Sequence, residues 1–172
     1  MRSIAGMDLR ALQQPIKDAY RADPDEARVT LTARGTPADA PIACSVDIGR
    51  AIYEAQAHTG VGGAGTAACS GDLLLGALAA CAQLTCQMVA TAMGLEVRSI
   101  ETTVEGDLDL RGTLGLDREV GAGFSALRLR FAVDAPEASE ADLEALLRKT
   151  ERYCTVAQTL MAPPPLSVEM QR

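Results

Sequence analysis

Aromatic side chains make up only 3% of the 172 residues, and tryptophan is absent. Stacking platforms for bases or sugars are disfavoured on that count. A single histidine, His58, leaves little material for a Ser-His-Asp triad or a histidine-rich zinc site. Zinc would have to rely on the five cysteines (Cys44, Cys69, Cys81, Cys86 and Cys154), and no two of them form a Cys-x-x-Cys pair. Their odd number and loose spacing do not describe a secreted disulfide scaffold. Residues 1–10 contain no apolar run, so no secretory signal is expected and a reducing cytoplasm is the predicted compartment. Positive charge is the scarcer sign: 16 Lys plus Arg against 23 Asp plus Glu give a net −7. That balance argues against nucleic acid or an anionic membrane as principal partner. Of the basic residues only Lys17 and Lys149 are lysines, so a buried cation is expected to be an arginine.

What is present describes a soluble globular chain, 48% hydrophobic and 23% charged. Its length suits one domain with at most a small appendage, and such a chain can bury a core without metals or disulfides. Leu9, Leu12, Ile16 and Tyr20 recur at helical spacing, interrupted by Pro15. The pattern predicts two short helical turns, Pro15 opening the second, within an N-terminal extension over 1–27. The main domain is expected over 28–172. Val29, Leu31 and Ala33 alternate as in a half-buried strand that Arg34-Gly35-Thr36-Pro37 should break, and a second strand is expected from Ile42 to Ile48.

Residues 73–95 contain no charge. The run is long enough to cross a bilayer, but Gln83, Thr85, Gln87 and Thr91 interrupt it and no basic cluster flanks it. A helix from Ser70 to a stop at Gly94, buried inside a soluble assembly, is the better reading. Such a helix must be covered on nearly all sides, by a sheet or by a second subunit.

Beyond Gly94, Ile100, Thr102, Val104, Gly106 and Leu108 alternate with an acidic face, and Leu127, Leu129, Phe131 and Val133 alternate with Arg128 and Arg130. Opposite charges on consecutive strands predict an antiparallel hairpin. Residues 111–123 read as its glycine-containing connection. Ser139 and Asp142 signal a helix start, Leu143, Leu146, Leu147 and Thr150 give that helix its stripe, and Cys154 falls near its end. Pro163-Pro164-Pro165 stops helix formation, and a last strand is expected over Leu166 to Met170. The class is α+β without internal repeats.

Gly60-Val61-Gly62-Gly63-Ala64-Gly65 matches G-x-G-x-x-G, yet no clear strand precedes it and no acid follows in the helix, so a flexible loop is preferred to a dinucleotide site. Cys81 lies about three turns into the uncharged helix, where a free thiol reads first as a small core residue. Cys86 is about 140° further round and faces elsewhere. Composition does not pair Cys154 with either.

The run from Ser70-Gly71-Asp72-Leu73-Leu74 through Ala79-Ala80-Cys81 resembles the helix start of the OsmC and organic-hydroperoxide-resistance (Ohr) family, commonly Pro-x-Glu-Leu-Leu, an alanine-rich turn and a cysteine. Cys154-Thr155-Val156, with Thr159-Leu160 beyond, resembles that family's second cysteine motif, usually Cys-Pro-Val. Gly62-Gly63 and Glu105-Gly106-Asp107-Leu108 fit as well, so the resemblance spans about 28–170. It implies an OsmC-like α+β fold, antiparallel sheets wrapped around a central buried helix, in an intertwined homodimer. It also implies a thiol peroxidase for small organic hydroperoxides, with Cys81 peroxidatic, Cys154 resolving, an external dithiol as reductant, and no metal or organic cofactor.

An apolar site raises a thiol pKa, so the chemistry calls for a nearby arginine, oriented by an acid. Arg34 and Arg50 are the candidate cations and Asp72 the candidate acid. The sequence departs from the family pattern in Ser70 for the proline, Asp72 for the glutamate and Thr155 for the second proline. Two other readings follow: an OsmC-fold protein holding a small lipophilic ligand in the dimer cleft without turnover, and a hydrolase using Cys81 with His58.

Overall fold

The computed structural model describes residues 9–23, 28, 34–37, 43–47 and 52–171. The chain divides into two compact units, 1–71 and 72–172.

In the first unit, α1 (Leu9–Ala22) runs unbroken with Pro15 inside it, where two separate turns were expected. Proline removes one i→i−4 bond. The following turn is tied instead by Gln14 Nε2 donating to Asp18 Oδ1 at 2.9 Å and by an Arg21–Asp18 ion pair at 2.6 Å. The expected strand at 29–33 lies outside the described residues. The segment expected to break it is itself a strand, β1 (Arg34–Pro37). β1 is the edge of a four-stranded sheet, where a proline closing the strand costs no interior ladder bond. β1 pairs antiparallel with β2 (Ala43–Asp47) and β2 with β3 (Ile52–Gln56), while the two-residue β4 (Ala68–Cys69) joins β3 in parallel. A strand thus does precede the glycine run. That run is a tight turn, with a 3-10 segment at Thr59–Val61 and Gly62 at φ +93°. A Cβ at Gly63 would stand 1.6 Å from the Ala57 carbonyl oxygen, so close backbone approach dictates that glycine.

The second unit takes in nearly all of α2 (Ser70–Met93), which ends at Gly94 with φ +74° as its left-handed stop. β5 (Ser99–Leu108) and β6 (Phe124–Asp134) form the expected antiparallel hairpin, with Glu105 opposite Arg128 and Val104 opposite Leu129. Arg128 pairs with Asp107 at 2.5 Å and Arg130 with Glu105 at 2.7 Å across the wet face. The connection contains a short helix, α3 (Leu110–Thr113). α4 (Glu140–Tyr153) opens with the reciprocal Ser139–Asp142 capping box anticipated from sequence. A seven-residue helix that was not anticipated, α5 (Thr155–Met161), follows at once. Residues 163–171 form no strand, in contrast to expectation: Leu166, Val168 and Met170 alternate, but no ladder partner meets them among the described residues.

α2 lies on the dry face of the hairpin through two clusters. Leu78 and Ala82 pack with Cys154 and Ala157 against Val104, Leu129 and Phe131. Cys86, Val89 and Ala90 pack with Leu146 against Ile100, Phe131 and Val133. Burying Leu78 or Leu146 contributes roughly 1.5–3 kcal/mol each. Gln83 pins the helix to β5, donating to the Ile100 carbonyl at 2.7 Å and accepting from the Thr102 hydroxyl at 2.5 Å. The flank of α2 away from the hairpin is uncovered: Leu84 is 59% and Met88 42% exposed. By length and composition α2 could cross a membrane, but its packing on β5 and β6 accounts for one uncharged face without one.

Candidate active site

Cys81 sits on α2 one turn beyond Leu78 and packs against the cluster that holds Cys154. Cys154 is the joint between two helices. Its N–H donates to the Thr150 carbonyl at 2.9 Å, ending α4, and its carbonyl accepts from Gln158 N–H at 2.9 Å, starting α5. The residue is fully buried. The first amides of a helix have no intrahelical acceptor and are free to serve another group. Here the Val156 and Thr155 amides donate to the Cys81 sulfur, and the Ala157 and Val156 amides donate to that of Cys154.

The two thiols also hydrogen-bond to each other, and their pKa values move apart. For Cys81 burial is the largest influence and pushes the thiol up. The Val156 amide, the Cys154 thiol, the Thr85 hydroxyl and the Thr155 amide together outweigh it, and the thiol lies below its ordinary value. None of these four groups carries a charge. For Cys154 burial again pushes upward, the Ala157 amide opposes it, and the proximity of Cys81 adds to the rise. Cys81 is therefore the more acidic thiol of the pair and Cys154 the less acidic one. A nucleophile beside a thiol that can condense with it is an arrangement suited to two-electron oxidation.

The structure brings Cys81 and Cys154 together. Asp72 is in the first turn of α2, about 13 Å along the helix axis from Cys81, at the helix entrance rather than beside the sulfurs. Arg34 opens β1, where its backbone alone is described, and Arg50 lies outside the described residues. His58 caps the 3-10 turn, its Nδ1 accepting from Gly60 N–H at 3.0 Å. No group of three or more His, Cys, Asp or Glu side chains is placed to hold a metal among the described residues. Thr85 and the α5 amides were missed from sequence. Thr85 stands four residues after Cys81, and Val156 and Leu160 stand four residues apart just beyond Cys154, which is the signal that could have found them. Thr155 fills the position where the family pattern has proline, and a proline there could not donate to Cys81.

Residues 63–169 match the family model of the OsmC-like proteins. The chain belongs to that family. Solved structures agree in fold. An OsmC-like protein from Mycoplasma pneumoniae superposes with a TM-score of 0.66 at 16% identity, over 78% of this chain and 89% of that one. An organic hydroperoxide resistance protein from Legionella pneumophila gives 0.62 at 18% identity, over 78% and 90%. One from Elizabethkingia anophelis, with thiocyanate bound, gives 0.59 at 17%, over 79% and 91%. No curated protein matches. The OsmC-like fold is thus established for a chain whose relatives in structure include hydroperoxide resistance proteins.

A cavity of about 620 Å³ lies away from the thiol pair. It lies between α4 and β6, where Cys86, Phe131 and Leu143 share the lining with the charged Arg130, Glu140 and Glu144.

Proposed function

We propose that this OsmC-like protein is a thiol peroxidase that reduces small organic hydroperoxides. The observation that carries the proposal is the meeting of two free thiols in one buried cluster, Cys81 on α2 and Cys154 at the α4–α5 joint, with the Cys81 pKa pulled down and that of Cys154 pushed up. The Cys81 thiolate attacks the terminal peroxide oxygen. The O–O bond breaks, the alkoxide leaves and takes up a proton as the alcohol, and Cys81 becomes a sulfenic acid. Cys154 then attacks that sulfur, the S–O bond breaks, water leaves, and a disulfide closes. An external dithiol restores both thiols in two exchange steps, a requirement that suits a reducing cytoplasm. Arg34 and Arg50 are the candidate cations for polarising the peroxide, with Asp72 the candidate orienting acid. No metal or organic cofactor enters the cycle.

A second copy of the chain is the proposed cover for the bare flank of α2, where Leu84 and Met88 are exposed. Sedimentation should then give twice 18.0 kDa; a monomer at micromolar concentration would remove that explanation.

The catalytic test is chemical. Stoichiometric cumene hydroperoxide should consume two thiols per chain, and tryptic mass spectrometry should find Cys81 joined to Cys154. If both cysteines stay alkylatable, the reading of a non-catalytic protein that holds a lipophilic ligand in a dimer cleft gains.

A further inference from the structure

We infer that Thr85 is a positioning residue for the Cys81 thiolate, its hydroxyl donating to the sulfur from one turn further along the same helix. The inference rests on reading Cys81 as the nucleophile. Positions 81 and 85 lie on one face of α2, about 40° apart and about 6 Å along the axis. Thr85 is one of two buried polar residues among those described, 5% exposed. In helices a threonine hydroxyl commonly turns to the carbonyl four residues back, as Thr91 does to Gln87 at 2.9 Å and Thr159 to Thr155 at 2.8 Å. Thr85 instead has the Cys81 sulfur as a partner.

Its place in the cluster gives this bond its use. The α5 amides and the Cys154 thiol reach Cys81 from the far side of the pocket, beyond the 154 joint. Thr85 alone of the four donors belongs to the helix that carries the nucleophile. It keeps its place when Cys154 turns from hydrogen-bond donor to covalent partner. A hydrogen bond to a charged group contributes more than one between neutral groups, so the hydroxyl favours thiolate over thiol. The other titratable group at the sulfur is Cys154.

The test is the pH profile of Cys81 alkylation by iodoacetamide in the full reduced chain, with fragment spectra separating Cys81 from Cys69 and Cys86 in the shared tryptic peptide. Thr85→Val keeps the shape and removes the donor. It should move the midpoint upward until roughly tenfold less thiolate is present at neutral pH. The rate should then fall about threefold, because a more basic sulfur is intrinsically more nucleophilic. Thr85→Ser should restore most of the wild-type profile. A Thr85→Val profile superimposable on wild type would overturn the inference. So would a Thr85→Ser chain that behaves like Thr85→Val, since packing and not the hydroxyl would then be responsible. The readout needs no peroxide turnover. A wild-type chain that forms no Cys81–Cys154 disulfide would sink the peroxidase reading, while the Thr85 shift, if found, would still stand.

Discussion

Cys81 and Cys86 share one helix, five residues apart, and have opposite character. Burial pushes both thiols upward. Cys81 meets two backbone amides, a hydroxyl and a second thiol, and ends below the ordinary value. Cys86 packs among Val89, Ala90 and Leu146 and ends above it. The polar group beside it is the buried Thr150 hydroxyl, which makes no hydrogen bond and offsets only part of the effect of burial. Burial alone makes a cysteine inert; what makes one reactive is the number of donors that follow it into the core. The rotation of about 140° between positions 81 and 86 turns one thiol toward the α4–α5 joint and the other toward the body of α4.

The sharpest way to break this contrast is to exchange the thiols for other groups. Cys81→Ser should reduce peroxide consumption to the uncatalysed background, because a hydroxyl at neutral pH is a far weaker nucleophile. Cys86→Ala should leave it within about twofold. Cys154→Ser should consume one equivalent and stop, leaving a Cys81 sulfenic acid that dimedone traps. Equal losses from Cys81→Ser and Cys86→Ala would erase the distinction.

Next in size is Leu146→Ala. Leu146 is 1% exposed and covers Cys86. Its truncation should cost about 2–5 kcal/mol in urea unfolding and should quicken Cys86 alkylation while Cys81 keeps its profile. A loss below about 1 kcal/mol would mean that this cluster is not a tightly packed part of the core.

Thr155→Pro is a finer probe. Position 155 opens α5, where proline is well accommodated, and the amide is lost together with an exposed side chain. Neutral-pH alkylation of Cys81 should slow about two- to threefold. Wild-type Cys81 should titrate below the ordinary thiol range near 8.5, and Cys86 above it. The reverse order would invert the comparison.

The smallest effect is on the wet face of the hairpin. Arg128 hydrogen-bonds Glu105 and Asp107 and holds both carboxyls below their usual values. A depressed folded pKa contributes stability above the unfolded value that is lost as pH falls through the folded one. Melting temperature should therefore fall below about pH 4, and Arg128→Gln should flatten that part of the curve. The pair is exposed, so the change should be modest.

The hairpin was legible because alternation with opposite charges on consecutive strands points to antiparallel pairing, and Glu105 does stand opposite Arg128. The uncharged helix and its Gly94 stop, and the Ser139–Asp142 cap, were legible for similar local reasons. The short β3, β4 and α5 were not. Ile52–Gln56 carries Tyr53 and Glu54 at exposed positions and lacks a dry alternating face, and α5 has only seven residues. Segments this short take their form from what they pack against. The same limit hid half of the candidate site. Cysteine side chains are visible in a sequence, whereas the amides that tune Cys81 belong to no residue type, and Thr85 looks like one more polar break in an apolar run. Leu166, Val168 and Met170 have the alternation of a strand, but alternation does not supply a ladder partner.

The joint at Cys154 ties its backbone into two helices at once, and Cys81 lies deep in a third. A bond between the two sulfurs would close a covalent loop of about 70 residues, and on the chain-entropy model a loop of that size removes about 4 kcal/mol of freedom from the unfolded chain. Oxidant would then act on the protein as a fastener. The spent, disulfide-bearing form should melt about 10 °C higher than the reduced, working one, so each turnover would alternate a looser molecule with a tighter one, and a melting curve alone would report how much of a population awaits its reductant.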